Sequence, residues 1–295
     1  MANLLELVKE LRDRTGAGMM ECKKALEASD CDMDKAIDYL RERGIAKSAA
    51  KASRIAAEGL ACIVEDGNKI AVVEVNSETD FTARTDKFKD MVAVVAKAVC
   101  DNEPATVEEA LELPTATGKV SEDIAAVSFA TGEKMTLRRI EIIKKTDDQI
   151  FGKYLHFDGK TAAVAVLNGN KPEVAKAIAM QIASMNPSYV DRDHMPEEII
   201  EHETKIQTEL VKADEKNANK PDTIIAKMVE GKVSKALQEM CLYDQAFILD
   251  GNQKVSAYLK SEGVSVDSFV RIVVGEGIEK KVDNWVEEVN AALKA

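Results

Sequence analysis

The chain has 295 residues, with 40 Lys+Arg against 52 Asp+Glu and a net charge of -12. That length suits two or three small domains. The acidic balance argues against nucleic acid as a main partner. With 45% apolar and only 4% aromatic residues, the core must be aliphatic. The longest apolar runs, 124–127 and 162–167, are too short to cross a bilayer, so no membrane binding is expected. The charged, amphipathic start MANLLELVKELRDR is neither a secretory h-region nor a transit peptide. Five scattered Cys (22, 31, 62, 100 and 241) without a CxxC pair read as reduced thiols of a cytoplasmic protein.

Residues 1–54 carry helical periodicity. Asn3 and Glu6 form a capping-box pattern ahead of Leu4, Leu7, Val8 and Leu11. Thr15-Gly16-Ala17-Gly18 breaks that helix, and a second runs from Met19 to Ala28. Asp32 caps a third, with Gly44 expected at its C-terminal end. Three short helices make a compact bundle of net charge +1, from 11 bases and 10 acids.

Past residue 55 the period turns alternating. Leu60–Glu65 and Ile70–Val75 flank Asp66-Gly67-Asn68, a hairpin signal, and a helix follows from Asp86. The layout recurs 92 positions later: Asp158-Gly159 aligns with Asp66-Gly67 and Asn168 with Asn76, and a second helix spans Pro172 to Met185. Thr136–Ile143 and Phe269–Val274 read as one further strand for each module. This describes an α+β core built on a duplicated antiparallel sheet-plus-helix unit.

Between the modules' last elements lies a helical insertion. One arm runs from Glu197 to about Lys216 and another from Asp222 to Met240. Near-heptad spacing sets Ile199, Ile206, Leu210 and Ala213 against Ile225, Met228, Lys232 and Ala236. An arm of this length extends ~30 Å, which suits a projecting antiparallel coiled-coil hairpin. The expected domains are therefore a bundle (1–54), core subdomain N (55–150), core subdomain C (151–190 and 241–280), a hairpin insertion (191–240) and a C-terminal helix (281–295).

No catalytic constellation or cofactor site emerges. His156, His194 and His202 lack a metal-ligand pattern, and no GxSxG elbow occurs. Gly275-Glu276-Gly277 lacks the third glycine of a dinucleotide loop, since Lys280 stands there, and Gly44-Ile-Ala-Lys-Ser48 lacks P-loop spacing. No catalytic residue, metal, cofactor or direct nucleotide binding is expected. Two features remain. Adjacent Met19 and Met20 point about 100° apart on a helix, so one faces a core and the other offers an adaptable contact. Asn76-Ser-Glu-Thr-Asp80-Phe81-Thr-Ala-Arg84 sets a lone Phe in a polar loop, either as a core residue or as an aromatic anchor at a loop tip.

Residues 7–27 (LVKELRDRTGAGMMECKKALE), 74–84 (EVNSETDFTAR), 227–235 (KMVEGKVSK) and 270–280 (VRIVVGEGIEK) closely resemble the elongation factor Ts family across essentially the whole chain. The resemblance implies a ubiquitin-associated-like N-terminal bundle and guanine nucleotide exchange on elongation factor Tu. Such a factor binds the GDP-bound form, releases GDP and Mg²⁺, and holds the nucleotide-free form until GTP enters. It further implies that Thr79, Asp80, Phe81, Thr82 and Ala83 form the loop that dislodges Mg²⁺. Arg12, Met19, Met20, Lys23, Lys51, Gly132 and His156 would be further partner contacts, His156 equally readable as a hydrogen-bonding strand residue. Self-association would run through the hairpin or core. The family's TDF is usually followed by Val, and here Thr82 stands in its place. A pure adaptor without exchange activity is the competing class.

Overall fold

The computed structural model describes residues 3–217 and 220–279. The expected helix over 281–295 lies outside them. The chain divides into two compact units. The first gathers residues up to Ile143, Phe157–Thr161 and the chain from Ile272; the second holds Lys144–His156 and Ala162–Arg271.

The first unit opens with helices α1 (Leu4–Thr15), α2 (Met19–Ala28) and α3 (Met33–Ala49). Asn3 and Glu6 close the capping box on α1, and Asp32 accepts from the Asp34 and Lys35 N–H groups at the start of α3. Their apolar faces meet at Val8, Leu11, Cys22, Leu26, Ala36 and Leu40. Gly44 does not end the third helix, which runs five residues further. Ala125 and Phe129 lie beside Gly44, and packing on that neighbouring helix outweighs the roughly 1 kcal/mol an interior glycine costs.

Next come β1 (Glu58–Asp66) and β2 (Lys69–Ser77), antiparallel around the expected Gly67-Asn68 turn with Asp66 opposite Lys69. A one-turn helix α4 (Asp80–Ala83) leads into α5 (Asp86–Asn102), followed by α6 (Val107–Leu111), the short pair β3 (Pro114–Thr115) and β4 (Gly118–Lys119), then α7 (Val120–Thr131) and β5 (Thr136–Lys144). The sheet order is β1-β2-β5. Phe88, Val92, Val95 and Val99 of α5 pack on Leu60, Val73 and Val75. The central strand β2 is buried along nearly its whole length, which explains its continuous apolar run.

On this unit's other sheet face a buried carboxylate fixes the chain's return. Glu74 has no exposed surface. It accepts from Arg138 Nη1 at 3.2 Å, Asn76 Nδ2 at 3.0 Å and the Gly275 N–H at 2.8 Å, and also from Arg139 Nε. Gly275 sits at φ 76°, and a Cβ there would come within 2.0 Å of the Ala57 carbonyl oxygen, so only glycine serves this turn. The Gly275-Glu276-Gly277 segment is thus a packing device, and the N–H a phosphate would need is already given to Glu74.

The second unit contains β6 (Gln149–His156), β7 (Thr161–Asn168), α8 (Pro172–Met185), α9 (Glu197–Ala213), α10 (Asp222–Met240), β8 (Ala246–Phe247), β9 (Asp250–Lys254), α11 (Val255–Glu262) and β10 (Ser265–Val273). Its sheet order, β10-β7-β6, repeats the sequence logic of the first: two successive strands, a helix, then a third strand beside the second. Val174, Ile178 and Ile182 of α8 pack on Ala163, Ala165 and Leu167.

Helices α9 and α10 pack along one another, with a different seam from the one the spacing predicts. Ile206 and Leu210 are exposed, whereas Val211, Val229 and Leu237 are buried. Half-buried Glu203 and Gln207, hydrogen-bonded at 2.7 Å, lie two turns and one turn before Val211 respectively. The rotation brings Asn217 Nδ2 to the Val211 carbonyl at 2.8 Å and closes the tip.

Among the described residues no helix is long and apolar enough to cross a membrane. All five cysteines are unpaired, and burial pushes the Cys22, Cys100 and Cys241 thiols above their ordinary range.

Burial pushes the Glu74 carboxyl up, but the Gly275 N–H, Arg139 and Asn76 outweigh it and leave the group below the ordinary 4.5. A carboxyl held lower in the folded state stabilises above its unfolded pKa, and that contribution disappears as pH falls through the folded value. Glu74→Gln should therefore cost on the order of 3 kcal/mol at pH 7, since it leaves two arginines without their buried counter-charge. Urea unfolding from pH 7 to pH 3 should show the wild type losing its advantage over the variant below about 4.5.

Candidate functional site

The loop from Glu78 to Arg84 leaves β2 at Ser77, whose hydroxyl donates to the Thr79 carbonyl at 2.9 Å. Thr79 caps α4, accepting from the Thr82 N–H at 3.3 Å. Thr82 and Ala83 turn inward and are buried, whereas Phe81 is 80% exposed. That exposure decides between the two sequence readings: Phe81 is no core residue and stands at a loop tip. Asp80 pairs with Arg84 at 2.8 Å on the same surface.

Lys51 and Gly132 join this loop from behind. Lys51, only 8% exposed, donates from Nζ to the Ser128 carbonyl at 2.8 Å, the Ser128 hydroxyl at 3.2 Å and the Glu133 carbonyl at 3.3 Å. Burial first, then neighbouring Arg54, pushes its ammonium below the ordinary lysine value. Gly132 ends α7 in the left-handed region at φ 80°, its N–H donating to the Ser128 carbonyl. Arg54 Nη1 reaches both the Gly132 carbonyl at 3.2 Å and Glu78 at 3.1 Å.

The residue that sequence reasoning missed is Glu133. Its carboxylate accepts the Thr79 N–H at 3.1 Å, the Thr79 hydroxyl at 2.6 Å and the Thr82 hydroxyl at 2.6 Å. The only local hint was a pair of threonines bracketing Asp80-Phe81, whose hydroxyls need an acceptor.

Arg12, Met19, Met20 and Lys23 form a separate exposed group on α1 and α2. Both methionines are exposed, at 48% and 63%, contrary to the expectation that one faces the core. The buried face of α2 runs through Cys22, Ala25 and Leu26, with Ala17 buried just ahead of the helix, and neither methionine lies on it. Lys23 pairs with Glu27 at 3.6 Å.

His156 belongs to the second unit, at the end of β6. It is half-buried, and its Nδ1 hydrogen-bonds the Tyr154 hydroxyl at 3.2 Å. A strand position with a hydrogen bond is thus shown, and its remaining surface is accessible.

The family profile described as "Elongation factor TS" matches residues 78–276, from the start of the Phe81 loop to the turn that Glu74 holds. The chain belongs to the elongation factor Ts family. It is similar to Elongation factor Ts of Lactiplantibacillus plantarum, 48% identical over 287 residues and 97% of each chain. Elongation factor Ts of Limosilactobacillus reuteri is 48% identical over 282 residues, 96% of each chain. That of Lacticaseibacillus casei is 50% identical over 288 residues, 97% of each. As a member of this family, the chain is a translation elongation factor.

Gly132 holds its left-handed backbone at the end of α7 without crowding. A Cβ there would meet no heavy atom within 4 Å, so the cost of a side chain lies in the backbone. Gly132→Ala should lower the unfolding free energy by about 1 kcal/mol, and Gly132→Asn by less, because Asn tolerates the left-handed region. Urea midpoints of both variants check this; equal losses for the two would contradict it.

Proposed function

We propose that the chain is a guanine nucleotide exchange factor for elongation factor Tu: it promotes release of GDP and Mg²⁺ and stabilises the nucleotide-free partner until GTP binds. The observation that carries this reading is Phe81, exposed to water on a loop held rigidly from behind. An aromatic side chain gains about 1.5–3 kcal/mol on entering an apolar slot, and burial of Phe81 in the partner would supply free energy to displace its metal-holding elements. Mg²⁺ demands near-ideal octahedral geometry, so a small shift of those elements suffices. Exchange factor and nucleotide then weaken each other by the same factor, which lets abundant GTP expel the factor. No covalent step is involved, and the chain needs no cofactor of its own.

In this reading Thr79–Ala83 form the dislodging loop. Met19 and Met20 supply adaptable contacts beside the charges of Arg12 and Lys23. Lys51 and Gly132 are partner contacts that also shape the loop's support, and His156 adds a contact from the second unit. Residues 1–54 are a ubiquitin-associated-like bundle, and 55–150 pairs with 151–190 and 241–280 as duplicated core subdomains. Residues 191–240 form an antiparallel coiled-coil hairpin with a second contact role. The setting is the cytoplasm, where translation takes place.

Stopped-flow release of fluorescent GDP from elongation factor Tu tests the proposal. The wild type should accelerate release strongly, and Phe81→Ala should lose about thirtyfold of that effect, the equivalent of a 2 kcal/mol hot spot. Tight binding without acceleration would leave only an adaptor.

A further inference from the structure

The Phe81 loop has little holding power of its own. Its helix α4 has four residues, far below the length at which a helix persists unaided, and Phe81 contributes no core packing. Yet its direction must be fixed if an exposed ring is to enter a slot rather than fold back.

That direction is set by one carboxylate from another part of the chain. Glu133 lies in the α7–β5 connection, 54 residues after Thr79. Its Oε1 takes both threonine hydroxyls, and its Oε2 takes the Thr79 N–H. The two threonines stand immediately before and after Asp80-Phe81, so both ends of the tip are tied to one group. Glu133 is itself anchored. Its carbonyl accepts from the Ser128 hydroxyl at 2.6 Å and from Lys51. Next to it, Lys134 Nζ donates to the Ala52 carbonyl at 2.6 Å and the Arg54 carbonyl at 2.8 Å. Hydrogen bonds to an ionised acceptor are shorter and stronger than neutral ones, which suits a clamp at a half-exposed edge.

Thr82 supplies one of these ties through its hydroxyl alone. A valine there would fill the same space but could donate nothing to Glu133. The second tie is therefore built into this chain by a single hydroxyl.

We propose that Glu133 is the positioning residue of the Asp80-Phe81 wedge, acting through its hydrogen bonds to Thr79 and Thr82. The inference rests on the exchange reading above and names the residue that makes its wedge effective. A positioning role predicts a split in the kinetics. Glu133→Gln should lower the maximal rate of GDP release from elongation factor Tu by on the order of tenfold, while the factor concentration giving half-maximal release stays nearly constant. Thr82→Val, which leaves the other ties intact, should lower the same rate by a smaller factor.

Two further readouts separate positioning from damage. In a Phe81→Ala background, Glu133→Gln should cause no additional loss, because residues acting through one element are not additive. Hydrogen exchange of the full-length chain should speed up over residues 79–84 in Glu133→Gln and remain unchanged over the core helix 86–102. An unchanged maximal rate in Glu133→Gln, or an equal loss with and without Phe81, would overturn the inference while leaving the exchange reading intact. A wild type that does not accelerate release would overturn the exchange reading, and the wedge's positioning with it. The hydrogen-exchange result would then report only a structural tie.

Discussion

A phenylalanine held in water loses the free energy its burial would give, about 1.5–3 kcal/mol, and a flexible loop would recover it by collapsing onto the nearest apolar surface. Phe81 stays 80% exposed, so something must deny the loop that freedom. Glu133 does so by occupying the donors on either side of the tip. Behind it, Lys51 ties the same connection to the end of α7, and α7 packs through Ile124 and Val127 into the core that α5 forms with the sheet. The exposed ring is therefore the outermost point of a continuous line of support that begins in the aliphatic interior.

Two buried charges organise the first unit, and they work alike. Lys51 joins the exit of the N-terminal helices to the far end of α7, and Glu74 joins the central strand to β5 and to the turn after β10. Each bridges segments between 64 and 201 residues apart in the chain. Aliphatic packing alone is non-directional and would tolerate small slips between such segments. A buried charge tolerates none, because a misplaced partner leaves it unsatisfied in a low-dielectric setting. The core supplies cohesion, and the two charges supply register.

What could be read from the sequence is what short-range rules govern. The Gly67-Asn68 turn, the Asn3 and Asp32 caps and the matching third strands all rest on signals within a few residues. Gly44 failed as a stop signal because its fate depends on α7, about 80 residues away. The α9 seam came out rotated because apolar spacing alone ranked Ile206 and Leu210 above a stripe containing Glu203 and Gln207, which satisfy each other. Phe81 remained ambiguous because composition is the same whether the ring is buried or offered. Glu133 was invisible for a simpler reason: it is one of 52 acids, and nothing beside it in the chain marks it as the acceptor for Thr79 and Thr82.

The exposed apolar side chains of the first unit differ in the kind of contact they can make. Met19 and Met20 sit exposed on a helix end with flexible thioethers, the kind of surface that adapts to a partner and contributes mainly affinity. Phe81 is a rigid ring on a loop tied to Glu133 through Thr79 on one side and the Thr82 hydroxyl on the other, and it cannot adapt without breaking those ties. On the exchange reading this difference is a division of labour. The adaptable surface can bind the partner in more than one conformation, so it shifts no equilibrium between them. A rigid wedge binds well only where a slot is open, and a ligand moves a conformational equilibrium only by its differential affinity for the two states. On the exchange reading, rigidity at residues 79–84 is what converts binding into nucleotide release, and the Glu133 carboxylate supplies it through Thr79 and Thr82.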